Sequence, residues 1–406
     1  MVATTFDLGA LLGPIGSAAF FRDHWEREPL HVARGAPGFY RGLLSTADVE
    51  QVITFTRPKF VDPGAFSETT PRARTYVQGW LADRQLQEGA KYASLDEVHH
   101  VYARGLTVIL MTMQQRWGPV AVLCRALEAE FRCPVHANLY LTPPGAQGFD
   151  AHFDTHEVFV LQLEGSKQWR LYDAPRPLPL VDERSEVPKD RLGPPREVSL
   201  EAGDLLYVPR GVVHEAFTSE LASMHLTVGV NVYRWADLLD EALTAVTRED
   251  RRFREAMPRE ILGPSGVTGA VRERFAELLE VLKDRAEVEG AVGALGDQFF
   301  GQLLPLPGDR FAPPVGADEI GLDTILEREP GRICRVVERG GWVTIEYPGG
   351  QVGGPLKIAT ALRFVAQHDR FPVVALPDDL GGDAKLVLAR RLVRERLLRV
   401  AGPASK

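Results

Sequence analysis

Residues 152–154 read His-Phe-Asp, and residues 203–214 read GDLLYVPRGVVH. Both stretches lie among short apolar or alternating segments separated by Gly, Pro and Asp turns: LYLTPPG (139–145), VFVLQLEGSKQWRLY (158–172), EVSLEAGDLLYVP (197–209) and SMHLTVGVNVY (223–233). This spacing is typical of the strands of a small β-barrel or jelly roll. The region between Asn138 and Asn231 therefore predicts such a barrel.

Three side chains in this region are of the chemical types that bind a metal ion. Side chains alternate between the two faces of a strand, so His152 and Asp154 can bind one ion together. His214 follows an apolar strand and a Pro-Arg-Gly turn, which can bring it alongside them. Two imidazoles and one carboxylate leave coordination positions open, as in non-haem Fe(II) oxygenases, whereas structural zinc sites are closed. The alternative is a chance His-x-Asp among ten histidines; the surrounding strands favour iron.

The sequence NLYLTPPGAQGFDAHFDTHEVFVLQLEGSKQWRLY (138–172), followed by GDLLYVPRGVVHEA (203–216), also carries a family resemblance. It resembles the JmjC-domain 2-oxoglutarate oxygenases of the cupin superfamily, and among them the ribosomal oxygenases, which hydroxylate ribosomal proteins. The resemblance is specific over residues 136–234. It implies an α+β fold built on a double-stranded β-helix, with Fe(II) held by His152, Asp154 and His214 and with 2-oxoglutarate as co-substrate.

The resemblance further implies that Lys167 pairs with the distal carboxylate of 2-oxoglutarate, with Asn138 and Tyr140 nearby. A dianionic co-substrate does need a fixed cation, although Lys167 alone reads equally well as a solvated turn residue. Asn138 and Tyr140 share one strand face and either line the pocket or are satisfied core groups. Thr227 is a further candidate for the pocket wall, or a buried strand threonine.

Two positions depart from the family pattern. Members with a similar last strand tend to have a hydroxyl residue two positions after the one that matches Thr227, where this chain has Gly229. One co-substrate contact is therefore missing or replaced. His156 is also unusual, because it lies on the same predicted strand face as His152 and Asp154. It is expected to support the metal ligands or to contact substrate.

Outside the barrel the apolar pattern becomes helical. Leu238, Leu239, Ala242, Leu243 and Val246 form one stripe, and Val271, Phe275, Leu278, Leu279 and Leu282 form another. Such stripes usually belong to an intramolecular core, but the resemblance implies a helical dimerisation region and a winged-helix-like C-terminal domain. The predicted domains are therefore 1–235 (oxygenase domain with an N-terminal helical buttress), 236–304 (dimerisation) and 305–406. The last helix is predicted to run from Asp383 to about Arg399.

The composition indicates the class of protein, its compartment and the charge of its partners. With 406 residues, 45% hydrophobic and 25% charged, the chain is an ordinary globular protein of two or three domains. Three cysteines without a CxxC motif, no run near ~18 apolar residues and no secretion signal predict a cytoplasmic protein without a membrane span. A net charge of −8 suits a basic protein partner better than nucleic acid.

Together these patterns predict an Fe(II)- and 2-oxoglutarate-dependent hydroxylase. The resemblance makes a histidine or arginine of a ribosomal protein the expected target. Two alternatives stay open at this point. One is a small-molecule cupin oxygenase that uses the same iron without 2-oxoglutarate. The other is a non-enzymatic, ligand-sensing regulator whose C-terminal module binds DNA through the basic residues of the last helix.

Overall fold

The computed structural model of the chain describes residues 6–401 apart from 57–58, 62–73, 79–93, 182, 184–186, 264–265, 308–313 and 315. The chain divides into two compact units. One comprises Met1–Asn231 together with Leu304–Lys406, and the other comprises Val232–Leu303.

Helices and short strands precede the barrel. They are α1 (Leu8–Leu12), α2 (Gly16–Asp23), β1 (Leu30–Val32), α3 (Thr46–Thr56), β2 (Lys59–Val61), β3 (Arg74–Gln78), α4 (Leu95–Ala103), β4 (Thr107–Leu110) and α5 (Gly118–Phe131). A reciprocal capping box between Ser94 and Glu97 begins α4, as their spacing indicates. Pro119 occupies the first turn of α5, so the Gly-Pro pair begins this helix rather than interrupting it.

The barrel itself contains β5 (Val135–Thr142), β6 (Glu157–Tyr172), β7 (Arg196–Glu201), β8 (Leu205–Val208), β9 (Val213–Phe217) and β10 (Ser223–Val230). Its strands pair antiparallel in the order β1-β8-β6-β10-β5, and β4 continues the sheet beyond β5. The first half of β6 pairs with β8 and β10, whereas its second half pairs with β7 and β9. One long strand thus joins the two sheets, and the predicted barrel is confirmed.

Gly165 allows β6 to pass from one sheet to the other. Its φ is +65°, and a Cβ at this position would lie 1.8 Å from the carbonyl oxygen of Ala222. Both the backbone conformation and the close approach exclude a side chain. The strand faces then follow from register. Residues 136, 138 and 140 of β5 pair with 229, 227 and 225 of β10, which pair in turn with 158, 160 and 162 of β6.

The unit Val232–Leu303 is helical, with α6 (Trp235–Glu249), α7 (Gly269–Arg285) and α8 (Val288–Gln302). Ala242 and Val246 of α6 are buried, but Leu239 and Leu243 on the same predicted stripe are exposed. On α7, Phe275 is exposed as well. Part of each stripe is therefore not covered by the rest of the chain.

The C-terminal region contains β11 (Ile325–Arg328), β12 (Arg335–Arg339), β13 (Trp342–Tyr347), β14 (Gly350–Pro355), α9 (Ala359–Gln367), β15 (Arg370–Pro372), α10 (Gly382–Arg394) and β16 (Leu398–Val400). The strands form two antiparallel three-stranded sheets, β15-β11-β16 and β12-β13-β14. The last helix ends at Arg394, earlier than predicted, because Arg396 adopts a φ of +62° and the chain enters β16. Within the described residues, no helix has the length and apolar character to cross a membrane.

Candidate metal centre

His152, Asp154 and His214 converge at one end of the barrel. Their ligand atoms all lie within 4.8 Å of one another, and His214 Nε2 is 3.5 Å from Asp154 Oδ2. Two backbone hydrogen bonds fix this arrangement: His152 N donates to His214 O at 3.1 Å, and His214 N donates to His152 O at 2.7 Å. The structure thus brings together the three side chains that the sequence singled out.

Both imidazoles are oriented by backbone carbonyls. His152 Nδ1 lies 2.8 Å from Asp150 O, and His214 Nδ1 lies 3.1 Å from Val212 O. A carbonyl can only accept, so each Nδ1 carries the proton and donates it. The Nε2 atom of each ring then keeps its lone pair, which is the form in which histidine binds a metal with its outer nitrogen hydrogen-bonded.

The charge states also suit a divalent cation. Burial lowers the pKa of His214 to about 4, so this imidazole is neutral at physiological pH. The pKa of Asp154 lies below its usual value, because burial raises it but the neighbouring imidazoles of His156 and His214 lower it by more. The His214 nitrogen and the Asp154 carboxylate are therefore available without deprotonation, and two imidazoles with one carboxylate form a donor set that fits Fe(II).

A buried ionic network holds the turn between β8 and β9. Arg210 NH1 donates to Glu157 Oε1 at 2.9 Å, and its NH2 lies 2.6 Å from Glu26 Oε1. The Tyr207 hydroxyl donates to the other oxygen of Glu157. The adjacent Gly211 N donates to the carbonyl oxygen of Asp154 at 3.0 Å. The network thereby connects the N-terminal segment to the backbone of a candidate ligand.

Lys167 is not a solvated turn residue. It lies on β6, is 3% exposed, and donates from Nζ to Thr142 Oγ1 at 2.8 Å. Burial lowers the pKa of its ammonium to about 7. No carboxylate among the described residues forms a salt bridge with it. Burying a charged amine without a counter-ion destabilises the fold, and a bound anion would reduce this destabilisation.

The other three predicted pocket residues lie on the strands that line this side of the barrel. Tyr140 stacks on His225, with ring centroids 4.7 Å apart. Asn138 and Thr227 are direct partners across β5 and β10. The side-chain oxygen of Asn138 accepts a hydrogen bond from Thr112 N at 3.0 Å, so part of its amide has a structural role.

His225 is a pocket residue that sequence reasoning missed. It is buried, its ring centroid lies 5.7 Å from that of Trp169, and Nδ1 has no hydrogen-bond partner among the described residues. Burial lowers its pKa well below the usual value, and the nearby Lys167 charge lowers it further. Its position two residues before Thr227 on the same strand face was the available signal.

His156, the second departure from the family pattern, lies beside the metal centre. Its ring is 4.8 Å from that of His136, centroid to centroid, and perpendicular to it. Among the neighbouring imidazoles, that of His156 lowers the pKa of Asp154 most. The structure therefore places His156 next to a candidate ligand.

Comparison with known proteins bears on the same region. Residues 110–238 match the family model described as the JmjC domain. These residues form a JmjC domain. The matched residues include all three candidate ligands as well as Lys167, Tyr140 and His225. The JmjC recognition made from the sequence is confirmed.

Among curated relatives of this JmjC protein, ribosomal oxygenase 1 of Gallus gallus is 35% identical over 314 residues, which is 73% of this chain and 50% of the relative. The bifunctional lysine-specific demethylase and histidyl-hydroxylase NO66 of Dictyostelium discoideum is 33% identical over 332 residues, which is 80% of this chain and 60% of the relative. The chain thus spans half to three fifths of the length of these relatives.

The fold has a counterpart among solved structures. The ribosomal oxygenase YcfD from Escherichia coli, in complex with cobalt and 2-oxoglutarate, has a TM-score of 0.52 at 18% identity. The match covers 95% of this chain and 98% of that chain. At this identity the comparison supports the fold, and it extends beyond the JmjC domain.

Proposed function

We propose that this protein is an Fe(II)- and 2-oxoglutarate-dependent protein hydroxylase. The observation that carries the proposal is the convergence of His152, Asp154 and His214, with both Nε2 atoms free to bind, in the same barrel as the buried Lys167. A facial set of two histidines and a carboxylate leaves room for a chelating acid and for O2. The names of the relatives support the same activity.

His152, Asp154 and His214 would hold the iron, and Lys167 would anchor the distal carboxylate of 2-oxoglutarate. When bound, iron and 2-oxoglutarate supply oxidative decarboxylation to succinate and CO2, coupled to the insertion of one oxygen atom into a C–H bond of the target. The protein contributes orientation and exclusion of water. Asp150 O and Val212 O set the direction of the two imidazoles, and the apolar barrel keeps the reaction away from bulk solvent.

Lys167 would also change its protonation state when 2-oxoglutarate binds. With a pKa of about 7 the ligand-free amine is only partly charged at neutral pH. A carboxylate placed beside it favours the ammonium form and raises its pKa. Lys167 therefore takes up a proton as the co-substrate binds, and His225 offers a further polar group next to the same carboxylate.

The proposed target is a histidine or arginine of a ribosomal protein. The curated relatives include ribosomal oxygenase 1, and another carries the name histidyl-hydroxylase. The net charge of −8 suits association with basic ribosomal proteins. The test is incubation of the purified protein with Fe(II), 2-oxoglutarate and ribosomes, followed by mass spectrometry of the ribosomal proteins. A gain of about 16 mass units, roughly one oxygen atom, is expected on one protein.

The regulator alternative finds little support in the last helix. Arg390 donates to Ile320 O, Arg391 donates to Gly353 O, and Arg394 pairs with Asp318. Lys385 is buried and bound to Asp378 and to Val374 O. These cations already have intramolecular partners, so they are poor candidates for phosphate contacts.

We also propose that the helical unit Val232–Leu303 forms a homodimer. Each of its three helices carries an exposed apolar pair spaced four residues apart: Leu239 and Leu243 on α6, Phe275 and Leu279 on α7, Val288 and Val292 on α8. Trp235, one turn before Leu239, is 82% exposed. Apolar rows of this kind are typical of association surfaces.

Three further proposals concern organisation and location. The domain limits 1–235, 236–304 and 305–406 are retained as functional divisions, with the first as the oxygenase domain. The two helices α9 and α10 with the sheet β15-β11-β16 support a winged-helix-like C-terminal domain that binds protein rather than DNA. The three cysteines form no disulfide with one another, which suits a reducing, cytoplasmic compartment.

A further inference from the structure

The imidazole of His136 occupies the space that a side chain at position 229 would need. The two residues are direct partners across β5 and β10. A Cβ built on Gly229 would lie 2.3 Å from His136 Cε1 and 2.6 Å from its Nε2. The φ of Gly229 is not positive, so its backbone conformation does not demand glycine. The contact with His136 does.

His136 lies at the metal end of the pocket. It shares a strand face with Asn138, Tyr140 and Thr142, the partner of Lys167. Six residues of strand separate it from Thr142, which is about 20 Å. The distal carboxylate of 2-oxoglutarate, anchored on Lys167 beside Thr142, therefore lies far from His136. His136 instead lies against His156 and interacts electrostatically with Asp154.

Its hydrogen bonds fix which nitrogen carries the proton. Asn231 Nδ2 lies 3.0 Å from His136 Nδ1 and 3.4 Å from Pro134 O. A carbonyl oxygen needs a donor, so the atom facing it is the amide nitrogen, which also donates to Nδ1. An imidazole that accepts at Nδ1 is neutral and carries its hydrogen on Nε2. His136 thus presents one N–H donor at this end of the barrel.

We propose that His136 is a specificity-determining residue that contacts the target side chain, replacing from β5 the polar group that Gly229 cannot supply from β10. This inference rests on the proposed function. Nε2–H donates to an acceptor atom of the target, while His156 forms the rest of the wall beside Asp154. His136 and Gly229 are therefore coupled, because the shared space can hold a side chain from one of the two positions but not from both.

A matched pair of double variants tests the exchange. His136→Gly empties the space, and adding Gly229→Ser returns a hydroxyl to it from the opposite strand. Adding Gly229→Ala instead returns a similar volume without a polar atom. Gly229→Ser alone should lower the melting temperature because it collides with His136, and His136→Gly in the same chain should restore it. His136→Gln, which keeps a donor, serves as a second variant if the glycine variant folds poorly.

The probe is the large ribosomal subunit, whose binding to Mn(II)-loaded protein is measured by co-sedimentation alongside hydroxylation by the Fe(II) form. Affinity for 2-oxoglutarate is followed separately by tryptophan fluorescence, with Trp169 close to His225. His136→Gly should weaken subunit binding about tenfold, roughly the loss of one hydrogen bond. Its affinity for 2-oxoglutarate should stay within about twofold. Gly229→Ser should restore subunit binding and Gly229→Ala should not.

The inference would be overturned by equal loss of 2-oxoglutarate and subunit affinity in His136→Gly, or by equal restoration of subunit binding by serine and alanine. Unchanged subunit binding in His136→Gly would overturn it as well. Failure of the proposed function itself is detected with the wild-type protein. If wild-type protein neither binds nor oxidises the subunits, the proposed function is wrong, and the inference falls with it.

Discussion

Lys167 Nζ lies 2.8 Å from the hydroxyl oxygen of Thr142, and both side chains are buried inside the barrel. A neutral hydroxyl satisfies one of the three ammonium donors and leaves the charge uncompensated. The pair is therefore suited to half of an anion site, which a bound ligand would complete. A buried ammonium without a counter-ion is expected in a pocket that binds a carboxylic acid, and it is not expected in an ordinary barrel core.

Lys167→Met should raise the KM for 2-oxoglutarate by about 30-fold or more, because a charge-assisted hydrogen bond of roughly 2–3 kcal/mol is lost. Turnover measured as succinate release gives the comparison. Arg170→Met, a change at a half-exposed arginine on the same strand, is the control and should leave KM unchanged. A normal KM in Lys167→Met would show that another residue anchors the co-substrate, whereas wild-type protein that releases no succinate would favour the small-molecule cupin oxygenase that uses no 2-oxoglutarate.

The pH dependence of stability follows from the same lysine. Its folded pKa of about 7 lies below the usual lysine pKa of 10.5, so between these values the unfolded chain binds more protons than the folded one. This contribution makes the free energy of unfolding rise with pH across that window, by up to about 5 kcal/mol, and below pH 7 it stays at its minimum.

Chemical denaturation of wild type and Lys167→Met without metal or 2-oxoglutarate measures this effect. The methionine variant should be the more stable one at pH 7, and the difference should shrink towards pH 10. A constant difference at all pH values would show that Lys167 is protonated in the folded state throughout.

Arg210→Met should destabilise the protein by about 3–5 kcal/mol, because it leaves Glu157 buried without its cation. It should also weaken metal binding by about tenfold or more, since the adjacent turn carries the hydrogen bond from Gly211 N to Asp154 O. Calorimetric titration with Mn(II) at a temperature where the variant is folded separates the two effects. Arg363→Met, on an exposed pair, is the control. Unaltered Mn(II) affinity would detach the network from the metal centre.

Leu239→Arg should convert the proposed homodimer into monomers, because Leu239 is 66% exposed in the isolated chain and a charge there opposes burial in an interface. Sedimentation equilibrium measures the mass. Val387→Arg, at a similarly exposed position of α10, should leave the dimer intact. A monomeric wild type, or a dimeric Leu239→Arg, would move the association surface elsewhere.

The metal centre could be read from the sequence because its determinants are local. The two-residue spacing of His152 and Asp154 sets a shared direction, and the Pro-Arg-Gly turn before His214 sets a strand start. The burial of Lys167 could not be read in this way. It depends on the change of strand partner at Gly165 and on Thr142, which comes from a distant strand.

The errors have equally specific causes. The prediction extended the last helix past Arg394, because no residue in the local sequence indicates that Arg396 adopts a positive φ. What covers the apolar stripe on α6 could not be read from the sequence, because periodicity shows only that its residues share a face. His225 was overlooked because the residues beside it on β10 are apolar.

The central claim is that His152, Asp154 and His214 together hold an iron that 2-oxoglutarate chelates. Anaerobic addition of 2-oxoglutarate to Fe(II)-loaded protein tests it through the visible charge-transfer absorption of Fe(II) bound to a 2-oxo acid. The band should appear in wild type and in His368→Ala, a change at a histidine in the C-terminal region, and should be absent from His214→Ala. A band of full intensity in His214→Ala, or none in wild type, would contradict the account.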